Sequence, residues 1–456
     1  MLNRMIGLLM MVGLLVGCGG DKESPTGQSE SDAYLDLSLD WENQKDLSYF
    51  DSESLQDIMD IEIPTLDLIS GIIVIHNGKI VSEEYYNGSS EDDIYNIFSV
   101  TKSYISTLIG QAIDQGLLNN QYSTLDSFFP EFDFEYPHYV QLDDLLSMSS
   151  GYLDDYGEFP DYWFNTTIEE LLGMNHLDGP GTFFYNNSAC HIHSHILYHE
   201  TGLTPKEFAN IHLFPYLGIN NPDWNSGNSE ISNGSSGLML NLRDMVKLGQ
   251  LYQQDGYSSS DTQILSSEWI HEATSTQAEP SWSWNWNGGY GYLWWLPDRG
   301  YLAWGLGGQF IVVIPELNLV IGTHSFLTDV PNNHVNVLAG IIYNQIIPLF
   351  DEVVGVEPIS LKIPLEYSLF SNYPNPFNPI TSLHYDLPED GLVNITVYDM
   401  MGRIVKTLVN SSQTAGYKSI KWNATNDRNE PVSAGLYLYT IQAGEFRQTQ
   451  KMVLLK

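Results

Sequence analysis

The apolar pattern first becomes regular where Gly71-Ile72-Ile73-Val74-Ile75-His76 and Lys79-Ile80-Val81-Ser82-Glu83-Glu84-Tyr85-Tyr86 flank Asn77-Gly78. Two β-rich runs around Asn-Gly predict a hairpin, because this dipeptide tolerates the positive φ of a two-residue turn. The period then lengthens. From Ser99 onward, Tyr104, Ile105, Leu108, Ile109, Ala112 and Ile113 recur at spacings of three and four up to Gly116, which predicts a helix. Further helices are expected over Leu142 to Ser147, after Thr167, after Ser188 and over Leu242 to Gln253. Strands return at Tyr290 to Trp295, Gly308 to Ile314 and Leu319 to Thr323, with Pro315-Glu316 turning between the last two. A hairpin, then helices, then strands predicts an α+β domain whose sheet is closed by the two ends of its own sequence.

The regular pattern is bounded on both sides. Residues 19–45 are rich in Gly, Ser, Asp and Glu and read as a flexible spacer, so the body spans 46–350. Residues 351–368 read as a linker. Beyond it, short β-rich runs at Ser382 to Tyr385, Leu392 to Tyr398, Tyr417 to Trp422, Gly435 to Ala443 and Phe446 to Leu455 alternate with turn clusters, which predicts a small β-sandwich over 369–456. Residues 1–18 read as a signal peptide: Arg4 precedes the apolar run Met5 to Val16, too short to span a bilayer as a helix. The protein is therefore expected to be exported. The run ends in Leu15-Val16-Gly17-Cys18, similar to a bacterial lipobox, so Cys18 is a candidate for lipidation; the alternative is an ordinary signal peptide with a chance cysteine. Cys190 is the one other cysteine, and once Cys18 is processed no intramolecular disulfide can form.

Charge excludes whole classes of partner. The chain of 456 residues has 18 Lys and Arg against 57 Asp and Glu, a net −39. Such a surface repels phosphate backbones and anionic headgroups, so neither nucleic acid nor a polybasic membrane contact is expected, and a lipid at Cys18 would be the one membrane attachment. The charge is also uneven. Residues 369–456 carry 8 basic and 7 acidic side chains, so a near-neutral tail follows a strongly acidic body.

Candidate chemistry gathers at the start of the first long helix. Ser99-Val100-Thr101-Lys102 places a hydroxyl and an amine one helical turn apart on one face, where the amine can take the proton of the serine. The unpaired amides of the helix N-terminus favour an oxyanion beside Ser99. By itself the pair is equally a helix cap next to a solvated lysine. Downstream come Leu145 to Gly151, then Tyr185-Asn186-Asn187, then Ser236-Gly237-Leu238 and Arg243-Asp244-Met245, and finally Leu306-Gly307-Gly308-Gln309 at the opening of an expected strand.

This ordered set resembles the serine β-lactamase-like superfamily, in particular the class C β-lactamase-related esterases and 6-aminohexanoate-dimer hydrolases. The resemblance implies a β-lactamase/transpeptidase-like antiparallel sheet flanked by helices, with a helical subdomain. It implies Ser99 as the acylated nucleophile, Lys102 as its proton acceptor or shuttle, and Tyr185 as the phenolic partner. Asn187, Leu306, Gly307, Gly308 and Gln309 would meet the substrate, with the amides of Ser99 and Gln309 as the oxyanion hole, and no metal or cofactor is implied. Which of Lys102 and Tyr185 is the base stays open, and a shortened interval before Tyr185 leaves Asn186 as the other occupant of that place. Where β-lactamases and D-Ala-D-Ala peptidases carry a cation that holds a carboxylate, this chain has Leu306. The expected substrates are therefore small neutral esters or amides. The alternatives are a β-lactamase, a D-Ala-D-Ala peptidase, or a catalytically inactive penicillin-recognising scaffold that uses the same cleft for binding.

Trp282, Trp284, Trp286 and the aromatics of Tyr290 to Trp295 alternate with period two, so one set would face the core and the other could line a pocket. His191, His195 and His199 share a helical face at the spacing of a zinc chelate, but core packing is the stronger reading, with no acidic ligand fixed nearby. The tail, with Tyr373 to Pro379, Tyr398 to Arg403, Ala434 to Tyr437 and Lys451 to Lys456, resembles the type IX secretion C-terminal sorting domain. That likeness implies an immunoglobulin-like sandwich, the type IX machinery as partner, and a secreted or cell-surface protein of a two-membrane bacterium.

Overall fold

Asn77 and Gly78 take φ of 52° and 73°, so the expected turn forms between two paired strands. The structure is a computed structural model that describes residues 34–456 apart from 133–135, 137–139, 154–165, 178, 228–229, 281–287, 328–333, 352–366, 370–371, 373–374, 376, 378, 380, 414–415, 429, 445 and 456. The signal peptide, Cys18 and the tryptophans at 282, 284 and 286 thus lie outside the described residues.

Seven strands form the main sheet: β1 (Ile69–His76), β2 (Lys79–Tyr85), β3 (Gly289–Tyr290), β4 (Trp295–Leu296), β5 (Tyr301–Gly305), β6 (Gln309–Ile314) and β7 (Leu319–Ser325). Their order is β2-β1-β7-β6-β5-β4-β3, antiparallel throughout. The N-terminal hairpin is thereby joined to the C-terminal strands, as the sequence order predicts. Alternation along β1 decides which core each side chain enters. Ile73 and Ile75 pack with the helical side, whereas Ile72 and Val74 pack with residues from the segments 50–66 and 334–350 on the opposite face.

The helices that matter to the site are α1 (Val100–Asp114), α2 (Leu142–Leu146), α3 (Asn187–Thr201), α4 (Leu242–Gln253) and α5 (His334–Ile341). The short helix Ile168–Leu172 starts at Thr167, whose side chain forms a reciprocal capping box with Glu170. Helix α4 lies unusually close to the sheet. A Cβ on Gly322 of β7 would stand 2.1 Å from Val246 Cγ1, and one on Gly249 of α4 would stand 2.6 Å from Ile311 Cγ2. Gly322→Ala should therefore overpack this contact and lower stability by about 2–3 kcal/mol. Thermal denaturation checks this; an unchanged Tm would show that the helix can retreat without cost.

Three sequence expectations are corrected. Residues 34–45 do not form a free spacer: Leu37 is buried, its N–H donates to Ser258 O, Trp41 Nε1 donates to Arg243 O, and Ile80 pairs with residues 42–44. Tyr290 to Trp295 is not one strand, because Leu293 adopts φ 62° and Gly291 N–H donates to Trp294 O, folding the run into β3, a tight turn and β4. Tyr292 and Trp294 are consequently fully buried, and the alternation of lining and core aromatics fails. The tail contains a strand that the pattern missed, Ile404–Gln413, whose polar residues face outward.

The tail has two antiparallel sheets. Strands β8 (Ser368–Leu369), β9 (Thr381–Leu387) and β12 (Gly416–Trp422) form one in the order β8-β9-β12, and β10 (Gly391–Asp399), β11 (Ile404–Gln413), β13 (Gly435–Ala443) and β14 (Phe446–Leu454) form the other in the order β11-β10-β13-β14. Leu383 and Tyr385 from the first pack with Ile395, Tyr439 and Met452 from the second in a single core.

Candidate active site

The turn ahead of α1 is strained in a directed way. Phe98 sits at φ 49°, a left-handed conformation that costs a bulky residue on the order of 1–3 kcal/mol. Asn96 Oδ1 holds it, accepting from Phe98 N–H at 2.8 Å and from Gly237 N–H at 3.2 Å. Ser99 follows at the N-cap of α1, but its side chain makes no cap hydrogen bond. Its hydroxyl instead accepts from Lys102 Nζ at 2.9 Å.

Lys102 is fully buried, which removes the reading of a solvated lysine beside a capping serine. Besides Ser99, its Nζ donates to Asn187 Oδ1 at 2.8 Å and to the Ser235 carbonyl at 2.8 Å. Three acceptors match the three protons of an ammonium. As a free amine, the group can keep its two N–H bonds on Asn187 and Ser235 and turn its lone pair to the Ser99 hydroxyl. Either protonation state is accommodated without moving a heavy atom.

The Ser235 carbonyl was not anticipated. Asn233 Oδ1 accepts from Ser235 N–H at 2.7 Å, from its hydroxyl at 2.8 Å and from Ser236 N–H at 3.3 Å, curling the chain so that the carbonyl faces the lysine. An Asn two residues before Ser235 in a Ser/Gly-rich stretch is the Asx-turn signal that could have revealed it.

Tyr185 is delivered by the segment from Leu145 to Gly151. Gly181 N–H donates to Ser149 O and Phe184 N–H to Met148 O, each at 2.7 Å. The Tyr185 ring then lies with its centroid 5.0 Å from Lys102 Nζ and stacks on Trp295 at 5.8 Å. Asn186 is occupied elsewhere: its Oδ1 caps α3 through Ala189 N–H at 2.7 Å and its Nδ2 donates to Tyr152 O at 3.0 Å. Of the two residues, the tyrosine is the one beside the lysine.

Leu306 to Gln309 joins β5 to β6. Gly307 and Gly308 have φ of 81° and 93°, a path that side-chain-bearing residues resist. A Cβ on Gly305 would stand 2.4 Å from the Ile97 carbonyl, so this loop approaches the nucleophile turn. Leu306 is 61% exposed. Gln309 is corrected: its side chain is fully buried, donating to Ser325 O at 2.7 Å and accepting from Ser325 N–H at 3.1 Å. Its backbone is committed as well: Gln309 is fully buried and pairs with Gly305 across β5 and β6, so the expected oxyanion role of its amide finds no support in the fold.

Residues 69–333 match the family model described as beta-lactamase. The chain belongs to that family. The family consists mostly of serine hydrolases and includes non-catalytic binding proteins. Among solved structures, a candidate 6-aminohexanoate-dimer hydrolase from Bacillus anthracis is 20% identical with a TM-score of 0.56, covering 68% of this chain and 88% of that one. The octameric penicillin-binding protein homologue from Pyrococcus abyssi is 15% identical with a TM-score of 0.55 and coverages of 88% and 100%. The D-amino acid amidase from Ochrobactrum anthropi is 17% identical with a TM-score of 0.50 and coverages of 64% and 98%. These identities speak for a shared fold. No curated protein matches the chain. Residues 371–455 match the secretion system C-terminal sorting domain, which marks a secreted or cell-surface protein.

In this beta-lactamase-family chain the other described cations of the body are committed elsewhere. Lys79, Lys206, Arg243 and Arg299 pair with carboxylates, and Lys247 donates to the Leu39 carbonyl; Lys45 is exposed ahead of β1. Cys190 lies in the core, where burial pushes its thiol up to about 12, so it stays protonated and is no competing nucleophile. His191, His193 and His195 are also buried and held neutral. His199 instead lies against Phe129 and bonds Glu200, so the three-histidine face is not a chelate. Among the described residues no three His, Cys, Asp or Glu side chains gather as metal ligands.

Proposed function

We propose that this chain is an exported serine hydrolase that cleaves neutral ester or amide bonds through an acyl-enzyme on Ser99. The observation that carries the reading is the buried Lys102 amine, held by Asn187 and the Ser235 carbonyl with its third contact on the Ser99 hydroxyl. Lys102, with Tyr185 as second proton carrier, takes the proton as Oγ bonds to the acyl carbon. The tetrahedral oxyanion is met by the Ser99 amide at the N-terminus of α1. As the intermediate collapses, the C–O or C–N bond breaks and the leaving group takes the proton. Water then repeats the sequence against the acyl-enzyme, releasing acid and restoring Ser99.

Substrate charge follows from Leu306. An apolar, exposed side chain at the place of a carboxylate-binding cation gives an anionic substrate no partner there, and among the described residues Lys79, Lys206, Lys247, Arg243 and Arg299 are committed to carboxylates or a carbonyl. We assign neutral acyl groups on that ground. Leu306→Lys should raise kcat/KM for nitrocefin by about tenfold or more, the worth of one charge-assisted hydrogen bond, with little gain on p-nitrophenyl butyrate. Wild-type protein that turned over nitrocefin faster than the ester would refute the assignment. The tail is read as an immunoglobulin-like sandwich recognised by the type IX machinery, with Cys18 as a lipid attachment point. Deleting residues 369–456 should leave the hydrolase active and trap it in the periplasm.

A further inference from the structure

Helix α3 bears on the buried amine in two ways. Asn187 in its first turn accepts directly from Lys102 Nζ at 2.8 Å, and Cys190 and His191 follow at i+3 and i+4, on the same face. Both are fully buried. They meet the chain again at Gly234, where a Cβ would stand 2.7 Å from the Cys190 carbonyl and 3.2 Å from His191 Cα. Only glycine lets this loop lie against the helix, and the loop carries the Ser235 carbonyl, the other fixed acceptor of Lys102.

The peptide planes from Asn233 to Ser236 are each held at both edges. In the first, the Asn233 carbonyl accepts from Trp224 Nε1 at 2.8 Å and the Gly234 N–H donates to His191 Nδ1 at 3.3 Å. In the second, the Gly234 carbonyl accepts from Cys190 Sγ at 3.4 Å and the Ser235 N–H donates to Asn233 Oδ1 at 2.7 Å. In the third, the Ser235 carbonyl accepts from Lys102 and the Ser236 N–H returns to Asn233 Oδ1. The C=O and N–H of a trans peptide point in opposite directions, so a plane pinned at both edges cannot turn, and the next plane inherits its aim.

Among these partners, His191 depends on its protonation state. A neutral imidazole accepts at one nitrogen, whereas a protonated ring would turn an N–H against the Gly234 N–H. Burial and the neighbouring His195 hold the ring at about 3, so Nδ1 keeps its lone pair throughout the neutral range. Its Nε2 has no partner among the described residues, so the polarity of the ring serves the Gly234 contact alone.

We propose that His191 is a positioning residue for catalysis: through the Gly234 N–H it sets the Ser235 carbonyl against Lys102 Nζ and so keeps the amine aimed at the Ser99 hydroxyl. This rests on the reading of Ser99 as nucleophile and Lys102 as its proton acceptor. His191 acts through main-chain groups, so a signature built on reacting side chains passes it over.

The test compares His191→Leu with His191→Asn. The two replacements share one branched shape and give up the same part of the ring, but only Asn places an acceptor where Nδ1 stands. His191→Leu should lower kcat on p-nitrophenyl butyrate, and the rate at which a fluorophosphonate labels Ser99, by about ten- to a hundredfold with KM within about twofold. His191→Asn should bring both rates back to within about threefold of wild type. Stability should rank the other way, with the lower Tm in His191→Asn, because its amide NH₂ is buried where the imidazole had no partner to offer. Unchanged kcat in His191→Leu, or rates in the two variants that fall in step with their Tm, would overturn the proposal while leaving the Ser99 reading intact. Wild-type protein that neither hydrolyses the ester nor takes the label would overturn the two together.

Discussion

Ser99→Ala should abolish labelling by a fluorophosphonate and lower kcat on p-nitrophenyl butyrate by about 10⁴- to 10⁶-fold, as loss of a serine nucleophile does elsewhere. The hydroxyl is half-exposed and caps nothing, so its removal costs the fold one hydrogen bond from Lys102 and little else. The Lys102 amine keeps Asn187 and the Ser235 carbonyl, and Tm should fall by no more than about 1 kcal/mol of stability implies. Lys102→Met should differ in a diagnostic way. Ser99 remains present but has no adjacent proton acceptor, so labelling slows by orders of magnitude rather than vanishing by definition. The buried Asn187 and Ser235 oxygens also lose their donor, at about 1–3 kcal/mol each, so this variant should be clearly less stable. Labelling that persists in Ser99→Ala would remove the nucleophile assignment and favour a binding scaffold.

How much of this was legible depended on whether a feature is written in side-chain pattern or in backbone geometry. The Asn77-Gly78 hairpin, the helix from Val100 and the helix Leu242–Gln253 are local, and the periodicity found them. The split of Tyr290 to Trp295 turns on a left-handed Leu293, which nothing in an aromatic run announces. The segment from His334 to Phe350 is an apolar run broken by Asn336, Asn344 and Gln345 that passes from α-helix into wider and then tighter turns, so it keeps no single period, yet it covers one face of the sheet. Residues 34–45 look like a spacer because they are polar, and they are held by hydrogen bonds rather than by an apolar stripe. At the candidate site, Ser99, Lys102, Tyr185 and Asn187 were readable because the roles proposed for them lie in their side chains, which the fold brings together around the Lys102 amine. The Ser235 carbonyl is a main-chain group aimed by Asn233, so sequence identity at the working position says almost nothing about it.

Acidification should destabilise this protein far more steeply than its many exposed carboxylates would suggest. Burial holds His191 at about 3 and His193 and His195 at about 4, with the His195 ring 4.9 Å away adding to the effect on His191. His76 at about 4 and His324 at about 3 are depressed in the same way. The sign follows directly. An imidazole whose pKa in the fold lies below its unfolded value near 6.5 binds its proton first in the unfolded chain, so its stability is fully present above pH 6.5 and is lost as pH falls toward 4. A tenfold bias is worth about 1.4 kcal/mol, so each ring opposes folding by roughly 2–3 kcal/mol at pH 4.5 at most. Asp143, raised to about 7, and Asp144, raised to about 6, work in the opposite direction. They are half-buried where the histidines of α3 are enclosed, so the imidazoles should win, leaving a net loss of several kcal/mol between pH 7 and 4.5. His193 offers the cleanest check. Its Nδ1 bonds the Cys190 carbonyl, a contact that a glutamine amide can replace, while its Nε2 is buried without a partner. In urea denaturation across that pH range, His193→Gln should lose roughly 2 kcal/mol less than wild type on acidification, with similar stability at pH 7.5. Parallel curves for the two proteins would show that the α3 imidazoles are not what limits the fold in acid.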